Sequence, residues 1–320
     1  MSLRLGKRQW GDGDKKAIDF QSGNSKLVST CQRQAIAILD NMLKLIDVSK
    51  TSIATSLRSH IIESQKKYPI INDPMAKYCL DKLYSLASEK DRELLFDRKL
   101  PLALTNSQAL RARKYDEIAN EFISINPGCT VVNLGCGFDT RYWRLKNKNC
   151  EYIELDLPEL IEIKKDILKE QLSYKLISCS VLDASWIDTV TKRGNNNILI
   201  LAEGLFMYLP KNDVIDLLKT ISERFYNSKI ALEVTNEKYI RGLWKKIIRR
   251  KIKSQLGFDA GSLFKFGVRN GQEIESYGDG IKIIEEWIYT EAEEARPKIA
   301  KYLTPKRSQW TVTATLNKDE

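Results

Sequence analysis

Apolar residues along this chain fall into two kinds of run. Short runs read as strands: 131–134, apolar and buried, 150–157 with a mixed face, 174–181, 198–202 as the most apolar, 229–234, and 281–287 and 310–316 as the last two. Longer stretches repeat apolar positions every three or four residues and read as helices. In 27–50 these positions are Leu27, Val28, Cys31, Ala35, Ile38, Leu39, Met42, Leu43 and Ile46. Further helices are expected over 52–66, 74–88, 107–120 and, after the first-turn proline Pro158, 158–171. Strands alternating with helices predict an α/β domain.

One strand-to-turn junction carries the first chemical signal. The run from Val131 to Leu134 breaks at Gly135-Cys136-Gly137, where a side chain would block a tight turn or keep a ligand off the backbone. A helix can start over 138–145, with Asp139 or Thr140 as its N-cap. Strand, glycine turn and helix start is the geometry that holds a nucleotide-type ligand. The full dinucleotide fingerprint fails, because Thr140 stands where a third glycine belongs. Asp156 lies 156 − 137 = 19 residues beyond the second glycine, at the tip of the next strand. A carboxylate there can accept from both hydroxyls of a ribose.

These residues, VVNLGCGFDTRYWRL, then YIELDLPELIEIKK, then ILILAEGLFMYLP, resemble the leucine carboxyl methyltransferase family, which includes protein phosphatase leucine carboxyl methyltransferases and polyketide O-methyltransferases. The likeness is dense over about 111–235, and Arg58 and the Asp73-Pro74 segment extend it upstream. It implies S-adenosylmethionine as cofactor. It also implies a class I methyltransferase fold: a Rossmann-like, seven-stranded sheet ending in an antiparallel hairpin, with helices on both faces. By the resemblance, Gly135, Gly137, Asp139 and Asp156 hold the cofactor. Arg58 and Arg113 bind its methionine carboxylate, with Arg111 as the alternative to Arg113. Leu182 and Asp183 read adenine, although the family's usual Asp-Leu pair is here Val181-Leu182-Asp183. Glu203, at the end of the most apolar strand, serves cofactor and reacting centre, and Tyr208 lines the acceptor side. His60 reads as a structural histidine.

Composition narrows the setting. The chain has 320 residues, of which 42% are hydrophobic, so it can bury a proper core. Residues 1–26 are polar and glycine-rich and read as a loose arm. A helical cap is expected over 27–106 and the methyltransferase domain over 107–320. The six cysteines contain no CxxC pair, so neither a metal site nor a disulfide framework is expected, and the chain reads as cytoplasmic. No run approaches the ~18 apolar residues of a membrane span. The net charge is +10, and eight of the cations fall in 238–253 with no acid among them. There Ile240, Leu243, Trp244, Ile247 and Ile248 form one helical face, at the start of an inserted lid over 238–280. That helix reads as a solvated cap, a guide for anionic acceptors, or a contact for an acidic membrane.

The expected function is O-methylation of a carboxylate on a small molecule or peptide C-terminus. A carboxylate acceptor is already ionised at neutral pH, so the protein's work is positioning and desolvation. A hydroxyl acceptor needs a base, drawn from Glu203, His60 or Tyr208. An RNA-directed methyltransferase is the reading that charge alone suggests, and no RNA-binding pattern supports it, so nucleic acid is not the expected partner. A non-catalytic protein retaining a cofactor pocket is the remaining class.

Overall fold

The computed structural model describes residues 47–191, 197–298 and 307–317. The expected arm over 1–26 and nearly all of the helix expected over 27–50 lie outside the described residues. Seven strands form one sheet: β1 (Cys129–Leu134), β2 (Cys150–Asp156), β3 (Lys175–Ser178), β4 (Ile198–Ala202), β5 (Ser228–Thr235), β6 (Ile281–Trp287) and β7 (Gln309–Leu316). Their order is β3-β2-β1-β4-β5-β7-β6. The first five are parallel and β7 runs antiparallel between β5 and β6. This is the expected α/β, Rossmann-like sheet with its final antiparallel hairpin.

Every residue of β1 and β4 is buried, as parallel strands covered on both faces require. One face packs Trp186, Phe206, Phe225 and Trp310 against β4, β5 and β7. The other packs Tyr115, Ile118 and Phe122 against β1, β2 and β4. The strand order reverses at β1, whose neighbours β2 and β4 lie on opposite sides. The carboxyl ends of β1 and β4 therefore frame the crevice where such sheets take ligands.

Among the described residues, the α-helices of seven or more residues around the sheet are α1 (Arg58–Ser64), α2 (Pro74–Leu86), α3 (Leu102–Ile125), α4 (Pro158–Leu168), α5 (Ser185–Thr191), α6 (Lys211–Arg224) and α7 (Gly242–Leu256). Helix α3 is longer at both ends than the expected 107–120, and the short helices Glu89–Asp91 and Arg92–Asp97 were not expected. The helix expected over 138–145 shrinks to one turn, Arg141–Arg144, because neither candidate cap leads a long helix. Asp139 does accept from Arg141 N at 3.0 Å, but Thr140 turns its hydroxyl to Asp73. The basic stretch begins with a 3₁₀ turn, Glu237–Ile240, and the helix proper starts at Gly242, whose φ of +56° breaks the run.

The Asp-Pro segment locks the helices to the glycine turn. Pro74 opens α2, and Asp73 caps it, accepting from Ala76 N at 2.9 Å through Oδ1. Asp73 Oδ2 accepts from the Thr140 hydroxyl and from Arg144, each at 2.6 Å, and lies 3.0 Å from His60 Nδ1. Burial pushes this carboxyl up, but Arg144, His60 and Thr140 outweigh it and hold it at about 2. Replacing Asp73 with Asn should cost about 3 kcal/mol at pH 7, since Arg144 loses a buried partner. Because the folded value lies below the unfolded one near 4, the wild-type advantage should be full above about pH 4 and fade as pH falls toward 2. Urea unfolding of both proteins across that range measures it; equal stability at pH 7 would contradict the assignment.

Candidate cofactor and acceptor site

A cavity of about 780 Å³ opens at the carboxyl ends of β1, β2, β4 and β5. Gly135, Gly137, Asp139, Asp156, Glu203 and Tyr208 all line it. Gly135 and Gly137 have φ of +60° and +51°. A Cβ on Gly135 would come within 2.7 Å of Leu205 Cδ1, and one on Gly137 within 2.9 Å of Ser52 Oγ. Both positions therefore need glycine for conformation and for space.

Asp156 ends β2 with both carboxylate oxygens anchored. Oδ2 accepts from Gly137 N and Oδ1 from Leu157 N, each at 2.7 Å. Burial nonetheless raises its pKa, and these N–H bonds only partly offset that. An oriented carboxylate with lone pairs left over, facing a cavity, suits a pair of ribose hydroxyls.

Across the turn the acids are held by arginines. Arg141 donates to Asp116 at 3.0 Å and to Asp139 and Glu203 at 2.5 Å each. Arg111 donates to Glu203 at 2.6 Å and to Glu233 at 3.0 Å, and reaches Ser56 Oγ at 3.3 Å. Burial pushes Glu203 up, but Arg111 and Arg141 outweigh it and hold it below the usual carboxylate range. Glu233 goes the other way, because burial and the neighbouring Glu203 outweigh its share of Arg111. For Asp139, Arg141, Arg144 and Lys164 together overcome burial and lower the value.

Four sequence expectations need correction. Arg58 does not reach the cavity; its guanidinium donates to the backbone oxygens of Leu95 and Arg98 and ties α1 to the Arg92–Asp97 turn. Arg113 points away and pairs with Glu294 at 2.6 Å, whereas Arg111, the alternative, lines the cavity. Two residues apart on α3, the pair is separated by about 200° of rotation, so only one can face the site. Leu182 and Asp183 lie outside it as well: β3 ends at Ser178, so the chain turns early and presents Ser180 and Val181 instead. Asp183 accepts from Ser185 N at 2.9 Å at the start of α5, and Leu182 is 43% exposed.

The sequence reading passed over Arg141, Glu233, Ser52 and Ser56. Glu233 had a readable signal, an acid inside the apolar run of β5. His60 lines the cavity too. Ionised Asp73 can only accept, so the proton of a neutral imidazole sits on Nδ1. Its Nε2 is then a bare lone pair, buried and without a hydrogen-bond partner. Tyr239 OH and Trp310 Nε1 are likewise buried on the cavity wall without partners.

The residues present fit S-adenosylmethionine. The glycine cradle would take the chain near the backbone, Asp156 the ribose, and the strand-tip acids the positive sulfonium. Among the described residues no cluster of His, Cys, Asp or Glu could hold a metal ion. Calorimetry with S-adenosylmethionine should show Asp156→Ala weakening binding about thirtyfold, near 2 kcal/mol. Arg111→Lys should cost about tenfold, since a point charge cannot bridge Glu203 and Glu233 as the fork does. Arg113→Lys should bind as wild type; the reverse ranking of the two arginines would contradict this site.

Comparison with known proteins gives the family. The family model described as leucine carboxyl methyltransferase matches residues 54–222, more than half the chain. The tetracenomycin polyketide synthesis O-methyltransferase TcmP of Streptomyces glaucescens is 27% identical over 249 residues, covering 77% of this chain and 84% of that protein. The S-adenosyl-L-methionine-dependent methyltransferase dpfgK of Gibberella zeae is 26% identical over 193 residues, 58% of this chain and 64% of that protein. Leucine carboxyl methyltransferase 1 of Candida albicans is 30% identical over 108 residues, 33% of this chain and 27% of that protein. The match over 54–222 takes in the glycine turn, Asp156 and Glu203, and the chain belongs to the leucine carboxyl methyltransferase family, as an S-adenosylmethionine-dependent methyltransferase.

Proposed function

We propose that this methyltransferase esterifies a carboxylate, carried by a small anionic acceptor with an apolar body or by a peptide C-terminus. The observation that carries this is the separation of charge in the cavity. Its acids, Asp139, Asp156, Glu203 and Glu233, all stand at the glycine turn or the strand ends. Its outer part is lined by Trp244, Ile247, Phe264 and Trp287, together with the cations Lys251, Lys265 and Arg296. The names of the relatives, a polyketide-synthesis O-methyltransferase and a leucine carboxyl methyltransferase, fit such an acceptor.

When bound, the cofactor supplies an electrophilic methyl group on a sulfonium. The chain's own part is placement. Glu203 is fixed by Arg111 and Arg141, keeps its charge, and would offer it to a bound sulfonium. Tyr208 packs edge-on against Phe264 at 5.5 Å and forms the wall between the two halves. Burial pushes its phenol above the ordinary value, so it stays protonated and can donate to an acceptor oxygen. The apolar walls exclude water, which strengthens the attraction of a carboxylate for the rim cations.

A hydroxyl acceptor is the second reading, and His60 favours it. Glu203 is committed to two arginines and held acidic, and Tyr208 is held protonated, so neither can take a proton. The bare Nε2 of His60, oriented by Asp73, is then the base available.

Two measurements separate these readings. The product should be a base-labile methyl ester, and His60→Gln should leave kcat within about threefold across pH 6–9. A base-stable ether, with a rate lost about a hundredfold in His60→Gln, would mean the hydroxyl reading. Reversing Lys245, Lys246, Arg249 and Arg250 to Glu should raise KM for the acceptor about tenfold and spare cofactor affinity. The effect should shrink with salt, because exposed charges are screened beyond about 8 Å. An unchanged KM would remove α7 from acceptor capture.

A further inference from the structure

Helix α7 closes the outer end of the cavity without being buried itself. Trp244, Ile247, Ile248, Lys251, Ile252 and Gln255 face the cavity, yet Leu256 is the one buried residue of the helix. Trp244 and Ile247 are 49% and 50% exposed, and Leu243 beside them is 75% exposed. Leu243, Lys246, Ile247 and Arg250 follow the i, i+3, i+4, i+7 spacing of a single stripe. That stripe runs along the exposed edge of the helix beside the cavity, with Ile247 both lining the cavity and half exposed, and an exposed apolar patch of this kind marks a contact surface.

Its charge says what would cover it. The helix carries Lys245, Lys246, Arg249, Arg250, Lys251 and Lys253 and no acid. Arg249 pairs with Asp259, and the others have no carboxylate within ion-pair reach among the described residues. Cations flanking a Leu-Trp-Ile edge is the make-up of a helix that lies in the interface of an anionic bilayer. Gly242, with φ of +56°, starts it, and Gly257, with φ of +83°, ends it in a left-handed cap. The segment after it is pinned to the core: Lys265 N and Phe266 N both donate to Met207 O, and Val268 N to Thr235 O. The helix is thus an exposed surface seated on a fixed base: Arg249 and Ile252 pack against Gly261, and Trp244 lies edge-on to Tyr239 at 6.0 Å.

We infer that α7 docks this protein on an anionic membrane surface, with Leu243, Trp244 and Ile247 entering the interface and Lys246, Arg250 and Lys253 meeting the lipid headgroups. The cavity mouth then opens onto the bilayer. As a consequence, which rests on the carboxylate reading above, the acceptor is an amphipathic acid that partitions into lipid and enters past Trp244 and Ile247. Docking itself needs no turnover.

Sedimentation of the full-length protein with phosphatidylcholine vesicles, with and without about 30% phosphatidylserine, tests the docking at physiological salt. Wild type should sediment at least fivefold more with the anionic vesicles. Leu243→Asp should reduce that binding at least threefold, and the triple change of Lys246, Arg250 and Lys253 to Glu should abolish it. None of these four residues lines the cavity, so calorimetric affinity for S-adenosylmethionine should be unchanged, showing that the variants are folded. Wild type left in the supernatant with anionic vesicles, or variants sedimenting as wild type does, would overturn the proposal. So would wild type binding a short single-stranded RNA in place of the vesicles. Vesicle binding without ester formation would overturn the acceptor reading and leave the docking intact.

Discussion

A buried charge has to be paired, and in this protein that constraint decides where the site is. Arg111, Arg141 and Arg144 hold Asp73, Asp116, Asp139, Glu203 and Glu233 in one continuous network. Three cations against five carboxylates leave 5 − 3 = 2 negative charges uncompensated when all five acids are ionised. The cost of that surplus shows in Glu233, whose pKa is pushed up. A positively charged ligand relieves it, and a sulfonium is such a ligand. The network also binds unlike parts of the fold together: α2 through Asp73, α3 through Arg111 and Asp116, β4 through Glu203, and β5 through Glu233.

The same arrangement divides the cavity. Its inner part is acidic and fixed by backbone N–H groups and arginines. Its outer part is apolar and rimmed by the cations Lys251, Lys265 and Arg296, with the largely exposed helix α7 along one side. On the proposed function, a rigid inner part for the cofactor and an exposed outer part for the acceptor are what a methyl transfer by positioning requires. His60 stands at the boundary as the single group with a bare lone pair for proton transfer among those weighed for that role. It decides whether an un-ionised acceptor could react.

Much of this was legible in the chain. Apolar runs located all seven strands, most plainly β1 and β4, because strands buried on both faces leave no polar face to confuse the period. Gly135, Gly137 and Asp156 were readable because a tight turn and a strand tip constrain residue type locally. What failed depends on rotation and on length. Arg111 and Arg113 differ in which flank of α3 they occupy, and the periodicity of that helix does not choose between two flanking cations. Leu182 and Asp183 were misplaced by a strand that stops three residues earlier than its apolar run suggests, at Ser178. Arg58 was placed by resemblance, and its backbone-oxygen partners come from a segment 37 and 40 residues away. Asp73 was seen as a motif, but its four simultaneous bonds follow only from the packing of α1, α2 and the glycine turn.

The central claim is that Arg111 balances Glu203 against Glu233 and so sets the charge that the cofactor meets. A double-mutant cycle on S-adenosylmethionine affinity, using Arg111→Met, Glu233→Gln and the pair together, tests it directly. Removing the arginine alone strands Glu233 and leaves Glu203 to Arg141, and removing Glu233 as well relieves the stranded charge. The double variant should therefore bind better than the product of the two single losses, with a coupling of about 1–3 kcal/mol. Strictly additive losses would contradict a shared charge balance, and so would a cofactor affinity untouched by any of the three changes.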